Sequence, residues 1–440
     1  MRGIEAALLV WRDVQGGIFA SEAIRKRGSA LPESERVLAS TLVFVSLRRA
    51  LLWKHIARNL TGRPLGTLSP AAGDALVMGI AGVTEIRHFA PRVLVNAMVE
   101  WVKNKGNQRE SGMVNAVLRR AVDEGPDTLK KLSGSRSLKD NALAGGVPSW
   151  AAAMWSESWG KDRARDLVRF SSMKSMMSLR LSPRADIEST ITRISDAGYR
   201  SWRSPLLEDS LRLSSSAHPP ALPGYDEGLF SPQSESSMII GKVVSSLYSG
   251  GILLDMCSGR GVKALQVLDT LSASFLECWD LSAAKIRAAS AEALRLGIPS
   301  NRFIAKSGDA LFLDPSGEVR TVFLDAPCSG SGTWSRHPEG KMRLIPDRIG
   351  DMYSLQCALL SKALDIIPPG GSVIYSTCSL FRQENEQVVA KVMESREDIV
   401  EMPPDNTYHS FSRGRPWGNY IFPTLPWLDG FYLAVLNKRV

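Results

Sequence analysis

The chain has 440 residues, with 54 Lys and Arg against 45 Asp and Glu and a net charge of +9. That length holds two to four domains and ample apolar chain for buried cores. No apolar run approaches the roughly 18 residues of a membrane-spanning helix, no signal-peptide pattern opens the sequence, and five widely spaced cysteines without a C-x-x-C pair suggest neither a disulfide framework nor a zinc site.

A reducing cytoplasm and a monomer are therefore expected. The charge is uneven: residues 1–140 hold 22 basic and 13 acidic residues, and the remainder holds 32 of each. A basic module on a neutral one reads equally as a polyanion-binding appendage or as a helical bundle with a solvated surface.

Residues 1–132 show helical spacing throughout. Ala6, Leu9, Val10 and Val14 form one apolar stripe, and Leu38, Leu42, Val45 and Leu52 another. Stretches 71–87, 91–104 and 110–122 read as further helices, with Pro91 near a helix start. The expectation is an all-α bundle of five to seven helices. Asn115 and Arg119 lie four apart on one face; Asn115 reads as structural, and Arg119 is open between packing and RNA contact. The small, polar segment 133–146 reads as a linker.

Val147-Pro-Ser-Trp150 begins a helical stretch containing Trp155 and Trp159, which read as core rather than as base-stacking platforms. Short strands at 178–182 and 212–214 around a helix at 186–197 make a small α+β segment, followed by a linker at 219–224. From 228 strands and helices alternate: strands 251–255, 274–279, 302–305, 320–324 and 371–376, and helices 262–270, 282–296, 351–367 and 383–395. This rhythm predicts a doubly wound, mostly parallel sheet, with a late strand at 430–436 inserted antiparallel.

Ligands bind such sheets at the carboxyl ends of the strands, and the chemistry-bearing residues fall there. After the first strand, Gly259 and Gly261 make a tight turn opening a helix, with Lys263 available to pair with a carboxylate. Asp280 ends the second strand, about 20 positions on, where a ribose acid belongs. Asp309 follows the third strand and is placed to accept from an adenine amine. A glycine turn with two such acids suggests an adenosyl cofactor, S-adenosylmethionine. Any one of these aspartates read alone is as well explained as a helix N-cap.

Asp325 ends the strand Val322–Leu324, and Pro327, Cys328, Gly330 and Gly332 follow; the two glycines would let the backbone approach a flat ligand. Fifty residues on, a strand ends at Cys378. Two thiols and a carboxylate facing one cleft suit attack on an electrophilic ring carbon. From the residues alone either cysteine qualifies as the nucleophile. Cys278 and Cys357 read as core.

Asp325-Ala-Pro-Cys-Ser-Gly330 and Tyr375-Ser-Thr-Cys-Ser379 resemble the two cysteine motifs of the RNA cytosine-5 methyltransferases of the NOL1/NOP2/Sun family. Residues 257–263 are similar to its Cys-Ala-Ala-Pro-Gly-Gly-Lys cofactor loop: Cys257, Gly261 and Lys263 are kept, and Ser258, Gly259, Arg260 and Val262 depart from it. Gly228-Leu-Phe-Ser-Pro-Gln233 resembles the segment that closes over the cofactor. Segments 36–48, 91–100 and 113–119 resemble helices of the antitermination factor NusB, a domain fused to one branch of the family.

The resemblance implies a multidomain chain. A NusB-like, RNA-binding helical domain (1–140) precedes a small α+β subdomain (147–224) and a Rossmann-like, class I methyltransferase domain (225–440). It implies Cys378 as nucleophile, Cys328 in product release and Asp325 on the cytosine edge. It further implies that residues 257–263, Asp280, Asp309 and Asp325 bind S-adenosylmethionine, with no metal. His337, in Arg336-His-Pro338, also matches the family and reads as structural. The implied substrate is 16S ribosomal RNA; the alternatives are the same chemistry on tRNA, or an RNA-binding ribosome-assembly factor of impaired activity.

Overall fold

The structure, a computed structural model, describes residues 2–214, 217–271, 275–404 and 411–440. Ser274, the first residue of the predicted strand 274–279, lies outside them. The chain forms two compact units: Met1–Met173 with Trp334–Leu344, and Lys174–Thr333 with Ile345–Val440. Among the described residues no helix is long and apolar enough to cross a membrane.

The first unit opens with the expected bundle. Its helices are α1 (Arg2–Gln15), α2 (Ala20–Gly28), α3 (Glu33–Arg48), α4 (Ala50–Thr61), α5 (Pro70–Glu85), α6 (Pro91–Lys105) and α7 (Gln108–Ser133). Helix α5 is apolar nearly all round and buried along most of its length, as a central helix must be. Ser69 caps it, accepting from the Ala72 N–H at 3.3 Å, and Pro70 sits in its first turn. Its buried acid, Asp74, accepts from Trp11 (3.0 Å), Arg12 (2.8 Å) and Gln15 (3.0 Å) on α1, which satisfies a carboxylate taken out of water.

Segment 133–146 is not a linker throughout. It contains α8 (Leu138–Ala144), followed by α9 (Ser149–Trp159) and α10 (Lys161–Ser171). Its polar residues are capping groups: Ser137 accepts from the Asp140 N–H, and the Asn141 amide donates to the carbonyls of Leu132, Ser133 and Ser135 at the end of α7. Trp155 is core, 1 % exposed and packed on Trp334.

The second unit begins with a small antiparallel sheet, order β2-β3-β1-β4, from β1 (Ser178–Leu181), β2 (Ser201–Arg203), β3 (Ser210–Leu213) and β4 (Phe230–Pro232), with α11 (Ile187–Asp196) between β1 and β2. Strands β2 and β4 and helix α12 (Glu235–Leu247) were not legible, because serines dominate the entry to α12; Ser234 is its N-cap. Two buried ion pairs join the small sheet to neighbouring elements: Arg180 with Asp269 at 2.8 Å, and Arg212 with both oxygens of Glu235 at 2.6 Å.

The large sheet follows the predicted order: β5 (Ile252–Asp255), α13 (Val262–Thr270), β6 (Phe275–Asp280), α14 (Ala283–Arg295), β7 (Phe303–Ser307), β8 (Val319–Asp325), α16 (Asp347–Ile366), β9 (Ser372–Thr377) and α17 (Glu386–Met393), while α15 (Gly340–Arg343), which the sequence did not predict, belongs to the helical unit. β10 (Ile399–Glu401), β11 (Phe411–Arg413), β12 (Asn419–Ile421) and β13 (Phe431–Lys438) complete it. The order is β11-β12-β13-β9-β8-β5-β6-β7, with β10 also paired to β13. Strands β7 to β9 are parallel and β13 runs antiparallel to β9, as the sequence predicts. The winding reverses between β5 and β8, which opens a crevice at their carboxyl ends.

Trp334–Leu344 is part of the helical unit. There Lys341 is 1 % exposed, and its ammonium donates to the carbonyls of Arg48 (2.6 Å), Gly145 (3.0 Å) and Ser171 (3.0 Å). These lie at the C-terminal ends of α3, α8 and α10, where carbonyls lack helical partners and the dipoles favour a cation. Burial pushes its pKa well down, helped by Arg49 and Arg48. His337 packs edge-on against Phe19 in the same unit, a structural role. Lys341→Met strands three carbonyls, and the unfolding free energy should fall by about 2–4 kcal/mol; a chemical denaturation curve within about 0.5 kcal/mol of wild type would contradict this role.

Candidate active site

The glycine turn after β5 is stitched to the end of β6. Ser258 N–H donates to the Trp279 carbonyl (2.8 Å), and Gly259 N–H donates to Oδ2 of Asp280 (3.0 Å). Gly259 (φ +59°) and Gly261 (φ +73°) take left-handed conformations that a side chain would strain, and Gly261 is the N-cap of α13. A Cβ at Gly259 would meet nothing within 4 Å, so this face of the turn is open. Arg260 is exposed, and Val262 begins α13. The departures from the family loop therefore leave the turn intact.

Asp280 also accepts from Ser282 N–H (2.8 Å). Asp309 lies in an exposed turn, where its carboxylate accepts from Leu311 N–H (3.0 Å), while neighbouring Gly308 N–H reaches the Asp280 carbonyl (3.2 Å). The ribose and adenine candidates are thus brought together, and both also hold backbone turns.

Lys263 reaches from α13 to Asp325 at the end of β8, with 2.5 Å between Nζ and Oδ2, across the crevice where the winding reverses. Burial draws the lysine pKa down, but the charge and hydrogen bond of Asp325 outweigh it, and the net shift is upward. Asp255, which sequence reasoning passed over, is 2 % exposed at the end of β5. Burial holds its pKa well up, with the Asp325 charge adding to the effect. Its Oδ1 has no hydrogen-bond partner among the described residues, and a polar ligand group at this crevice would supply one. The open glycine turn, the unpaired Oδ1 of Asp255 and the paired Asp280 together fit an adenosyl cofactor. Cys257, behind the turn, is an inert thiol whose pKa burial raises.

The two motif cysteines meet. Sγ of Cys328 and Sγ of Cys378 are 3.4 Å apart. Pairing of Asp325 with Ser376 in β8 and β9 sets the strand ends level, and Gly332 N–H donates to the Cys378 carbonyl (2.9 Å). The Cys328 pKa is pushed well up, first by its hydrogen bond with Cys378, then by burial and the charges of Cys378 and Glu384. Gly332 serves a different purpose from the one expected: a Cβ there would sit 2.2 Å from the Gly430 carbonyl oxygen, so it admits a neighbouring loop rather than a flat ligand. Cys278 is buried in the core and Cys357 half-buried on α16.

Sequence reasoning also missed Glu384, Asn385 and Glu386. Asn385 accepts from Thr377 (2.5 Å) and donates to the Ser379 carbonyl (3.0 Å), bracing the Cys378 turn from below. The available signal was the run Gln383-Glu-Asn-Glu386, which the sequence analysis took as the opening of a helix at 383–395.

Residues 245–437 match the family model described as 16S rRNA methyltransferase RsmB/F, and residues 9–123 match the NusB family. The chain is thus similar to the RsmB/F methyltransferases over residues 245–437 and to the NusB family over residues 9–123. Its relatives include ribosomal RNA small subunit methyltransferase B of Xanthomonas campestris, 28 % identical over 92 % of this chain and 89 % of that one. The protein of the same name from Thermus thermophilus is 28 % identical over 99 % and 97 %. The crystal structure of PH0851 superposes with a TM-score of 0.83 over 99 % of this chain and 98 % of that one, at 20 % identity. That of NSun6 from Pyrococcus horikoshii with SFG has a TM-score of 0.58 over 66 % and 98 %, at 18 % identity. These likenesses establish the fold. RsmB/F is a family of S-adenosylmethionine-dependent methyltransferases. Asp280→Ala should raise the Kd for S-adenosylmethionine at least about tenfold, or ~1.4 kcal/mol, in calorimetry; unchanged affinity would remove Asp280 from the cofactor site.

Proposed function

We propose that this protein methylates carbon 5 of a cytosine in 16S ribosomal RNA through a covalent bond to Cys378. The observation that carries the reading is the pair of thiols 3.4 Å apart at the ends of adjacent strands, beside the Lys263–Asp325 ion pair. An RNA-binding scaffold without chemistry has no use for two thiols so placed.

Carbon 5 of cytosine is a weak nucleophile. Addition of the Cys378 thiolate to carbon 6 forms an S–C bond and makes carbon 5 electron-rich. S-Adenosylmethionine, when held by residues 257–263, Asp280, Asp309 and Asp325, supplies an electrophilic methyl group. Lys263 fixes one oxygen of Asp325, orienting the carboxylate toward the N3/N4 edge of the base, where it holds the ring and aids its protonation. The carbon 5 proton passes to a solvent water, its bonding pair restores the ring double bond, and the S–C bond breaks to release the Cys378 thiolate, with Cys328 assisting release.

In this reading residues 1–140 bind RNA, 147–224 extend that surface and 225–440 carry the chemistry, all in the cytoplasm. The relatives' names and the excess of basic residues in 1–140 support an RNA substrate of the small subunit.

Cys378→Ala should lose methylation by at least about a thousandfold, ~4 kcal/mol of barrier; appreciable turnover would reassign the nucleophile. Cys328→Ala should accumulate a protein–RNA complex that survives denaturing electrophoresis, and its absence would count against a role in release.

A further inference from the structure

Cys328 and Cys378 are free, half-buried thiols whose sulfur atoms stand 3.4 Å apart. The backbone of both turns builds this contact. Ala326 N–H donates to the Ser376 carbonyl (2.8 Å), and Gly332 N–H donates to the Cys378 carbonyl (2.9 Å). The residues after the two cysteines are tied to one group. The buried carboxylate of Glu384 accepts from the Ser329 N–H (2.7 Å) and from the hydroxyls of Ser329 and Ser379. Neither turn can drift from the other without breaking these bonds, so the two sulfurs stay neighbours.

Two thiols this close are able to do something that methyl transfer does not require. A covalent S–S bond asks for about 1.4 Å of combined approach, which rotation about two Cα–Cβ bonds supplies. The other cysteines are placed elsewhere: Cys257 follows β5, Cys278 lies within β6 and Cys357 lies on α16.

We propose that Cys328 and Cys378 form a reversible disulfide when the protein meets hydrogen peroxide, and that this bond switches the site off. One thiolate attacks the peroxide: an S–O bond forms, the O–O bond breaks and hydroxide leaves, giving a sulfenic acid. The second thiol then attacks that sulfur. An S–S bond forms, the S–O bond breaks, and the departing hydroxide takes the proton of the attacking thiol and leaves as water. The pair loses two electrons and two protons, and the peroxide is reduced to two waters. Either sulfur can react first, because the product is the same. A dithiol reductant reverses the bond by two exchanges.

The consequence for activity rests on the cytosine-5 reading above, since the bond removes nucleophile and releasing thiol together. The bond also protects them. A sulfenic acid with no partner thiol goes on to sulfinic acid, which thiols do not reduce. In a reducing compartment such a bond is transient, and it serves as a switch rather than as a structural staple.

The test treats the reduced full-length protein, without RNA or cofactor, with one equivalent of hydrogen peroxide. The count of free thiols after denaturation should fall from five by two. In a non-reduced tryptic digest the fragments Thr321–Arg336 and Ala363–Arg382, each with a single cysteine, should appear joined and should separate after dithiothreitol. Fragments that carry sulfinic acid in place of the link overturn the proposal, as do fragments that stay unmodified. In Cys328→Ser, excess peroxide should take Cys378 to a sulfinic acid that dithiothreitol does not reverse; a Cys378 that remains recoverable there overturns the protective role. Methylation of 16S ribosomal RNA by the wild type should fall in proportion to the linked fraction and return on reduction, and linked protein that still methylates removes the switch. Because the link is read by mass, failure of the cytosine-5 reading appears separately, as reduced protein that yields no 5-methylcytidine.

Discussion

The site depends on the parallel pairing of β8 with β9. Their register sets Asp325 opposite Ser376, so that the turn carrying Cys328 and the turn carrying Cys378 leave the sheet side by side. A slip of one residue would exchange the faces of either strand and part the thiols. Several bonds prevent it: Ala326 N–H to the Ser376 carbonyl (2.8 Å), Leu380 N–H to the Ser331 hydroxyl (2.8 Å), and Gly430 N–H to the Gly332 carbonyl (2.8 Å). β13 closes the other flank of β9 over six paired residues. Two thiols fifty residues apart in sequence are thereby placed by backbone geometry.

Where the winding reverses, Lys263 bridges from the glycine turn to Asp325, with the buried acid Asp255 nearby. A buried cation removed from its partner would be costly, so this pair joins the start of α13 and the end of β8 into one element.

Much of this was legible in the sequence, for physical reasons. Parallel strands buried on both faces read as apolar runs, so Val322–Leu324 and Val373–Tyr375 announce themselves, and the residues after them must lie at the ligand-binding edge. The Lys263 pairing and the antiparallel insertion of β13 followed from the same logic. What escaped was polar structure that resembles disorder. Ser137 and Asn141 look like linker residues until they are seen capping α8 and α7. The serines around Ser234 concealed α12 in the same way. Glu384 escaped because its hydrogen bonds to Ser329 and Gln356 reach residues remote in sequence, which no local pattern encodes, and Gly332 was misread because its neighbour, Gly430, is remote in sequence.

The most direct measurement is nucleoside analysis of 16S ribosomal RNA after incubation with the protein and methyl-labelled S-adenosylmethionine. The account predicts label in 5-methylcytidine, at a single cytosine. Label in any other nucleoside, or none with folded protein and intact RNA, would contradict it.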